Sequence, residues 1–266
     1  MNTLRAYLAV LRGSYMVGII YRFGFIFTIL GNVVYMAVTY YLWRSIYANS
    51  VTLRGLTFNE TYLYVALGSA VFILFKTYAD WFISYEIREG SIAIYLTKPV
   101  DYQFYALAVS LGGALMNLTA ISLPTALLLV FVFQIPFQFG LGLLLFPISL
   151  VLAYLISFSF DYFIGLTGFY SESIWGISIT KEIIISVLSG ALIPLQFFPE
   201  IFRNILLALP FQAMYYTPLM MIIRPNQDWQ TLLSMLAVQA AWAIIIFILA
   251  RLFYNKAVQV LRVAGG

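Results

Sequence analysis

Polar residues are sparse and clustered along this chain, and the intervals between them predict its elements. Leu4, Leu8, Leu11 and Tyr15 recur at helical spacing and share one face. Arg5 and Arg12 flank that face, where their charged heads can reach lipid phosphates. The pattern predicts a helix over 3–16 lying on the cytoplasmic membrane interface; a simple extension of the first span is the alternative. Between Arg22 and Arg44 lie 21 uncharged residues, against the roughly 20 that one crossing needs. Residues 62–83 are apolar except for Lys76 and Asp80, whose i, i+4 spacing lets them pair near the cytoplasmic end of a second span.

Residues 86–99, "EIREGSIAIYLTKP", then place four charges in fourteen positions of a chain that is 9% charged. Glu86, Arg88 and Glu89 are expected to face water, with Ile87, Ile94 and Leu96 on an apolar side. Gly90 and Pro99 bound or bend the element. Such a short amphipathic element in a cytoplasmic loop lies on lipid or docks into a partner's groove.

Beyond Asp101 no charge occurs for 59 residues. A single helix of that length would be far too long for a bilayer. The run therefore reads as two spans that turn at "QIPFQFG" (134–140), which holds Pro136 and Gly140. The polar connector 171–182 reads as a solvated loop carrying Glu172, Lys181 and Glu182. A fifth span follows over 183–199. Two prolines and a charge in "LIPLQFFPEIF" (192–202) take the chain out of helical geometry. Residues 204–223 are uncharged, but Pro210, Pro218, Gln212, Tyr215 and Tyr216 predict short broken helices at the outer interface instead of a crossing. The last span is expected over 231–250.

Composition agrees with this pattern. The chain is 63% hydrophobic with a mean hydropathy of +0.96, whereas soluble domains are about 25% charged. The expected class is an all-α integral membrane protein with six transmembrane helices, forming one domain over 1–266. The apolar runs are continuous, unlike the alternating strands of a membrane β-barrel. Arg5, Arg12 and Arg22 interrupt the opening residues, so these do not read as a cleaved signal. Six crossings put both termini on one side. That side then carries ten basic residues, from Arg5 to Arg262, against Arg44, Arg54, Arg203 and Arg224 on the other. The excess marks it as cytoplasmic. The net charge of +4 then reflects cytoplasmic loops and not nucleic-acid binding.

Candidate chemistry is thin. With no cysteine and no histidine, the chain has no thiolate, no histidine base and none of the usual zinc ligands. It has no G-x-x-x-x-G-K-[ST] phosphate loop. Asp161 in "SFSFDYFIG" is the best candidate for a buried charge, and a carboxylate in a span suggests a polar path or a partner. Equally, it sits near the cytoplasmic end, or is protonated or hydrogen-bonded to Ser157 or Ser159.

In order, an interfacial helix, two spans, "EIREGSIAIYLTKPVDYQFYALA", two more spans, "GFYSESIWG", a fifth span and "LSGALIPLQFFPEIFRNILLALPFQAMYYTP" resemble the membrane subunit of small bacterial ABC-2 type exporters. The resemblance covers nearly the whole chain, and "SGALIPLQFFPE" with "LPFQAMYYTP" is its most specific part. It implies a permease of the bacterial inner membrane, paired with a second permease as homodimer or heterodimer. It also implies a separate ATP-binding cassette subunit that holds ATP and magnesium, so that this chain carries no cofactor. The loop between spans two and three would form the coupling helix, with Glu86, Arg88, Glu89 and Gly90 at the contact and Lys98 and Pro99 at its exit. Asp161 would lie on the translocation path. Pro194, Phe197, Phe198, Pro199 and Pro210 would belong to the outer gate. Two other classes compete: a polytopic enzyme acting on lipids, for which Asp161 is the one deep carboxylate, and an ion-driven carrier, which needs paired intramembrane charges.

Overall fold

A computed structural model describes residues 3–20, 22–133 and 138–260. Helices dominate, and five helical segments are long and apolar enough to cross a membrane: Gly24–Ile46, Phe58–Arg88, Tyr102–Val132, Leu141–Phe169 and Trp229–Val260. They run between two ends of the bundle. One carries residues 86–101, and the other carries a small hairpin at 52–57.

Helix α1 (Thr3–Ile20) runs beside α6 (Tyr102–Asn117). The Tyr7 hydroxyl accepts from the Asp101 N–H at 2.9 Å, and Ser14 Oγ donates to the Val109 carbonyl at 2.7 Å. Gly112 permits the approach, because a Cβ there would meet the Leu11 carbonyl oxygen at 2.5 Å. The seam is therefore Tyr7, Leu11, Ser14 and Gly18. Leu4 and Leu8, expected on the face turned to the membrane, are exposed, and the helix extends past the expected residue 16.

Helix α2 (Arg22–Ile46) leads to strands β1 (Thr52–Leu53) and β2 (Leu56–Thr57). Arg54 and Gly55 between them both have positive φ, the geometry of a tight hairpin turn. Thr57 then caps α3 (Phe58–Phe75) in a reciprocal box with Glu60. The second expected span is not one helix. It breaks at residues 76–78, where Tyr78 is left-handed at φ 54, and resumes as α4 (Ala79–Arg88). Asn117 Nδ2 donates to the carbonyls of Ile73 at 3.0 Å and Lys76 at 3.2 Å; it serves the Lys76 carbonyl that the break frees from the ladder and shares the Ile73 carbonyl with the Lys76 N–H.

A five-residue helix, α5 (Ile92–Leu96), precedes α6, whose N-terminus is capped by the Asp101 carboxylate. A π turn (Leu118–Ser122) joins α6 to α7 (Leu123–Phe133). Pro124 has no N–H for the Ala120 carbonyl, which accounts for the slack turn there. The expected turn at 134–140 falls between α7 and α8 (Leu141–Leu166); Pro136 lies outside the described residues, as does Arg262.

The connector 171–182 is not a loop throughout, since α9 spans Trp175–Leu188. The expected fifth span, 183–199, is therefore displaced toward the N-terminus and shortened. At 14 residues α9 is about 21 Å long, short of a 30 Å hydrocarbon core. Gly190, at φ +81, ends it. As the prolines predict, α10 (Glu200–Ala208), a 3₁₀ turn (Pro210–Ala213) and α11 (Tyr216–Ile223) follow as short pieces. Helix α12 (Trp229–Ala257) returns along α8. Gln239, fully buried in α12, accepts from Ser149 Oγ at 2.8 Å and donates to the carbonyls of Ser149 at 2.9 Å and Ala213 at 2.7 Å. One side chain thus ties together two long helices and the 3₁₀ turn.

Candidate functional site

Helices α4, α8 and α9 meet around three buried charges. Lys181 Nζ donates to Asp161 Oδ1 at 2.5 Å and to Asp80 Oδ2 at 2.7 Å. Ser178, one turn earlier on α9, donates to the same Asp80 oxygen at 2.5 Å. Asp80 Oδ1 accepts from the Trp81 N–H at 2.9 Å. Desolvating an ion costs several kcal/mol, offset only by close partners and filled hydrogen bonds; these contacts meet that condition. Two carboxylates thus share one ammonium. A cavity of about 50 Å³ adjoins it, with Phe75, Trp81, Met214 and Tyr215 in its wall. At its rim Lys76 pairs with Glu182 at 3.7 Å.

This arrangement revises three expectations. Lys76 and Asp80 do not pair, because the break at 76–78 takes them off a common helix. Lys181 is not a solvated loop residue; its side chain is 11% exposed. Asp161 has a cation as its partner, and Ser159 Oγ instead donates within its own helix to the Leu155 carbonyl at 2.6 Å. The sequence did carry a signal for Lys181. Ser178, Lys181 and Ile185 lie at i, i+3 and i+7 and so share one helix face.

At the end of α4 the chain reverses through Gly90, at φ +72, a conformation that disfavours a side chain. Ile92 is fully buried beneath the turn. Arg88, Glu89 and Lys98 are exposed, as are Tyr85, Ile94 and Leu96. Ile87 is buried, so it does not share a face with Ile94 and Leu96 as expected. Glu86 is a second correction: it does not face water but is 6% exposed. Its Oε2 accepts from the Tyr102 hydroxyl at 2.7 Å, so it is drawn inward by a hydroxyl on α6. The hydroxyls of Tyr95 and Tyr105 lie 2.6 Å apart, and Arg251 pairs with Asp101 at 2.5 Å. These bonds brace the loop from behind, leaving its outer side a rigid surface of mixed charged and apolar groups.

The residues expected at a gate fall into two groups. Pro194 is buried, and Phe197 packs on Trp43 of α2 with ring centroids 5.2 Å apart. Phe198 is half-buried, whereas Pro199 is exposed and starts α10. Pro210 opens the 3₁₀ turn that Gln239 holds. The Tyr64 hydroxyl donates to the Gly190 carbonyl at 2.8 Å, fixing the entry to this region against α3. At the hairpin end Arg224 pairs with Glu60 at 2.8 Å.

Among the described residues no group of three or more His, Cys, Asp or Glu side chains could hold a metal ion. The family model described as ABC-2 family transporter protein matches residues 33–265. No curated protein matches the chain.

Proposed function

The chain belongs to the ABC-2 transporter family, and on that premise we propose that this membrane permease is one half of an ATP-driven exporter, moved by a separate ATP-binding subunit docked on residues 85–98. The braced, exposed surface at the end of α4 carries the proposal. Tyr85, Ile94 and Leu96 supply apolar anchors of the kind that dominate interface energetics. Arg88, Glu89 and Lys98 supply charges that set register, and Gly90 shapes the turn. Glu86 acts behind this surface as a brace and not at the contact. The docked subunit binds ATP and magnesium, consistent with the lack of a phosphate loop in this sequence.

In this reading α9 and the segment 189–199 together make the fifth of six crossings, and both termini are cytoplasmic in the inner membrane of a bacterium. Residues 194–210 close the outer end of the path, Asp161 lies beside it, and a second permease completes it. Purification with a co-expressed ATP-binding subunit tests the docking. Arg88→Ala with Glu89→Ala is expected to lower complex recovery and substrate-coupled ATP hydrolysis; unchanged values of both refute the assignment. The paired charges of Lys181, Asp80 and Asp161 favour a second reading, an ion-driven carrier. Transport that survives ATP depletion but stops when the proton gradient collapses selects it.

A further inference from the structure

A cavity of about 620 Å³ between α1 and α6 shares only Lys98 with the surface proposed for docking. Val10 and Val17 of α1 and Val109 of α6 line its length, and Tyr7 and Lys98 stand at one end. Its α1 wall runs from Ala6 to Val17, a rise of about 16 Å, and half of a 30 Å hydrocarbon core is about 15 Å. The cavity therefore has the reach of a single leaflet.

The exposed charge at this end is basic. Lys98 forms no ion pair among the described residues, and its ammonium rests 4.7 Å from the Tyr95 ring centroid. The nearby carboxylates are engaged elsewhere: Glu86 by Tyr102, and Asp101 by Arg251 and the first turn of α6. Helix α1 carries Arg5 and Arg12 and no carboxylate. An apolar slot one leaflet deep, with an exposed cation at the end nearest the loop and the carboxylate its charge reaches, Glu86, buried behind the loop, matches a lipid bearing negative charge on its headgroup.

We propose that this cavity holds one acyl chain of an anionic glycerophospholipid, with its phosphate at Lys98. The lipid fills the gap between α1 and α6 and lies next to Tyr95 and Tyr105, which brace the loop. Because Lys98 also borders the proposed docking surface, occupancy is read on the permease alone, without the ATP-binding subunit.

Native mass spectrometry of the purified full chain, titrated with phosphatidylglycerol or phosphatidylcholine, tests this. One phosphatidylglycerol per chain is expected, held about fivefold more tightly than phosphatidylcholine, as one basic residue at an anionic headgroup provides. Lys98→Gln is expected to abolish the preference and Lys98→Arg to keep it. Val10→Phe with Val109→Phe, which fills the slot, is expected to lower occupancy by both lipids. Equal binding of the two lipids, an unchanged preference in Lys98→Gln, or displacement by millimolar inorganic phosphate (a free-phosphate site only) overturns the proposal. A Lys98→Gln chain that elutes as an aggregate is replaced by the Val10→Phe, Val109→Phe pair, whose unchanged occupancy is equally fatal.

Discussion

Lys181→Met removes the one cation between Asp80 and Asp161 and puts an apolar side chain of similar length in its place. Both carboxylates stay where they are, with side chains 3% and 11% exposed. Ser178 continues to serve Asp80, but Asp161 loses the one ionic contact recorded for it. Breaking a buried pair by deleting one partner costs about 3–5 kcal/mol. Two carboxylates losing their shared partner put the expectation at the upper end of that range. For chains of this size 1 kcal/mol corresponds to about 2–4 °C in Tm, so the variant is expected to melt on the order of 10 °C below the parent. The assay is thermal unfolding of the full chain in nanodiscs, followed by intrinsic fluorescence. The second arm decides the cause. Asp161→Asn in the Lys181→Met background removes the uncompensated charge and is expected to recover more than half of the loss, a coupling that independent sites would not show. A Lys181→Met chain that melts within about 2 °C of the parent, or a double variant that melts at the sum of the two single effects, refutes the electrostatic account.

Two further substitutions separate bracing from docking and test the α1 seam. Glu86→Gln keeps an acceptor for the Tyr102 hydroxyl but loses its charge, a difference of about 1 kcal/mol. A small drop in Tm with unchanged recovery of the ATP-binding subunit is expected, whereas lost recovery at unchanged Tm would return Glu86 to the contact. Gly112→Val places a side chain against the Leu11 carbonyl, where even a Cβ sits 2.5 Å away, and is expected to lift α1 from α6. With no native cysteine in the chain, maleimide labelling of Ser14→Cys reads this directly: labelling should be several-fold faster in the Gly112→Val background, and an unchanged rate would show that the seam does not depend on Gly112.

The crossings were legible because the bilayer imposes one length and one polarity on them. Arg22 and Arg44 lie at the ends of α2 and Asp101 caps α6, whereas Asp161 lies inside α8; Pro210 and Pro218 announce broken helices. What the sequence hid was long-range pairing. Lys181 and Asp161 are 20 positions apart, and Lys181 and Asp80 are 101 apart; only tertiary packing decides which partner each finds. The i, i+4 rule for Lys76 and Asp80 assumed an unbroken helix, and nothing local to "LFKTYAD" revealed that Asn117 would supply donors for a break. Glu86 failed for a related reason. A carboxylate in a charged run reads as solvated until a hydroxyl from another helix competes with water for it.

That break gives α4 a particular mechanical position. Its first turn holds Asp80, bonded to Lys181 of α9, and its last residue is Arg88, at the surface proposed for docking. The two lie about 12 Å apart along one short helix. The backbone at 76–78 is already non-helical, with the Lys76 carbonyl served by the Asn117 side chain and the Ile73 carbonyl by Asn117 and the i+3 Lys76 N–H, so α4 can tilt without breaking an α-helical i, i+4 bond there. A displacement of the Arg88 end must then either separate Asp80 from Lys181 or carry α9 with it. Separation would strand a buried charge at a cost of several kcal/mol, while α9 is joined to Asp161 through the same ammonium and is followed at Ser189 by non-helical chain. Tilting α4, α9 and the Asp161 end of α8 as one body keeps both pairs closed and is the cheaper motion, and on α9 it ends near Gly190, where the Tyr64 hydroxyl holds the entrance to the 194–210 region.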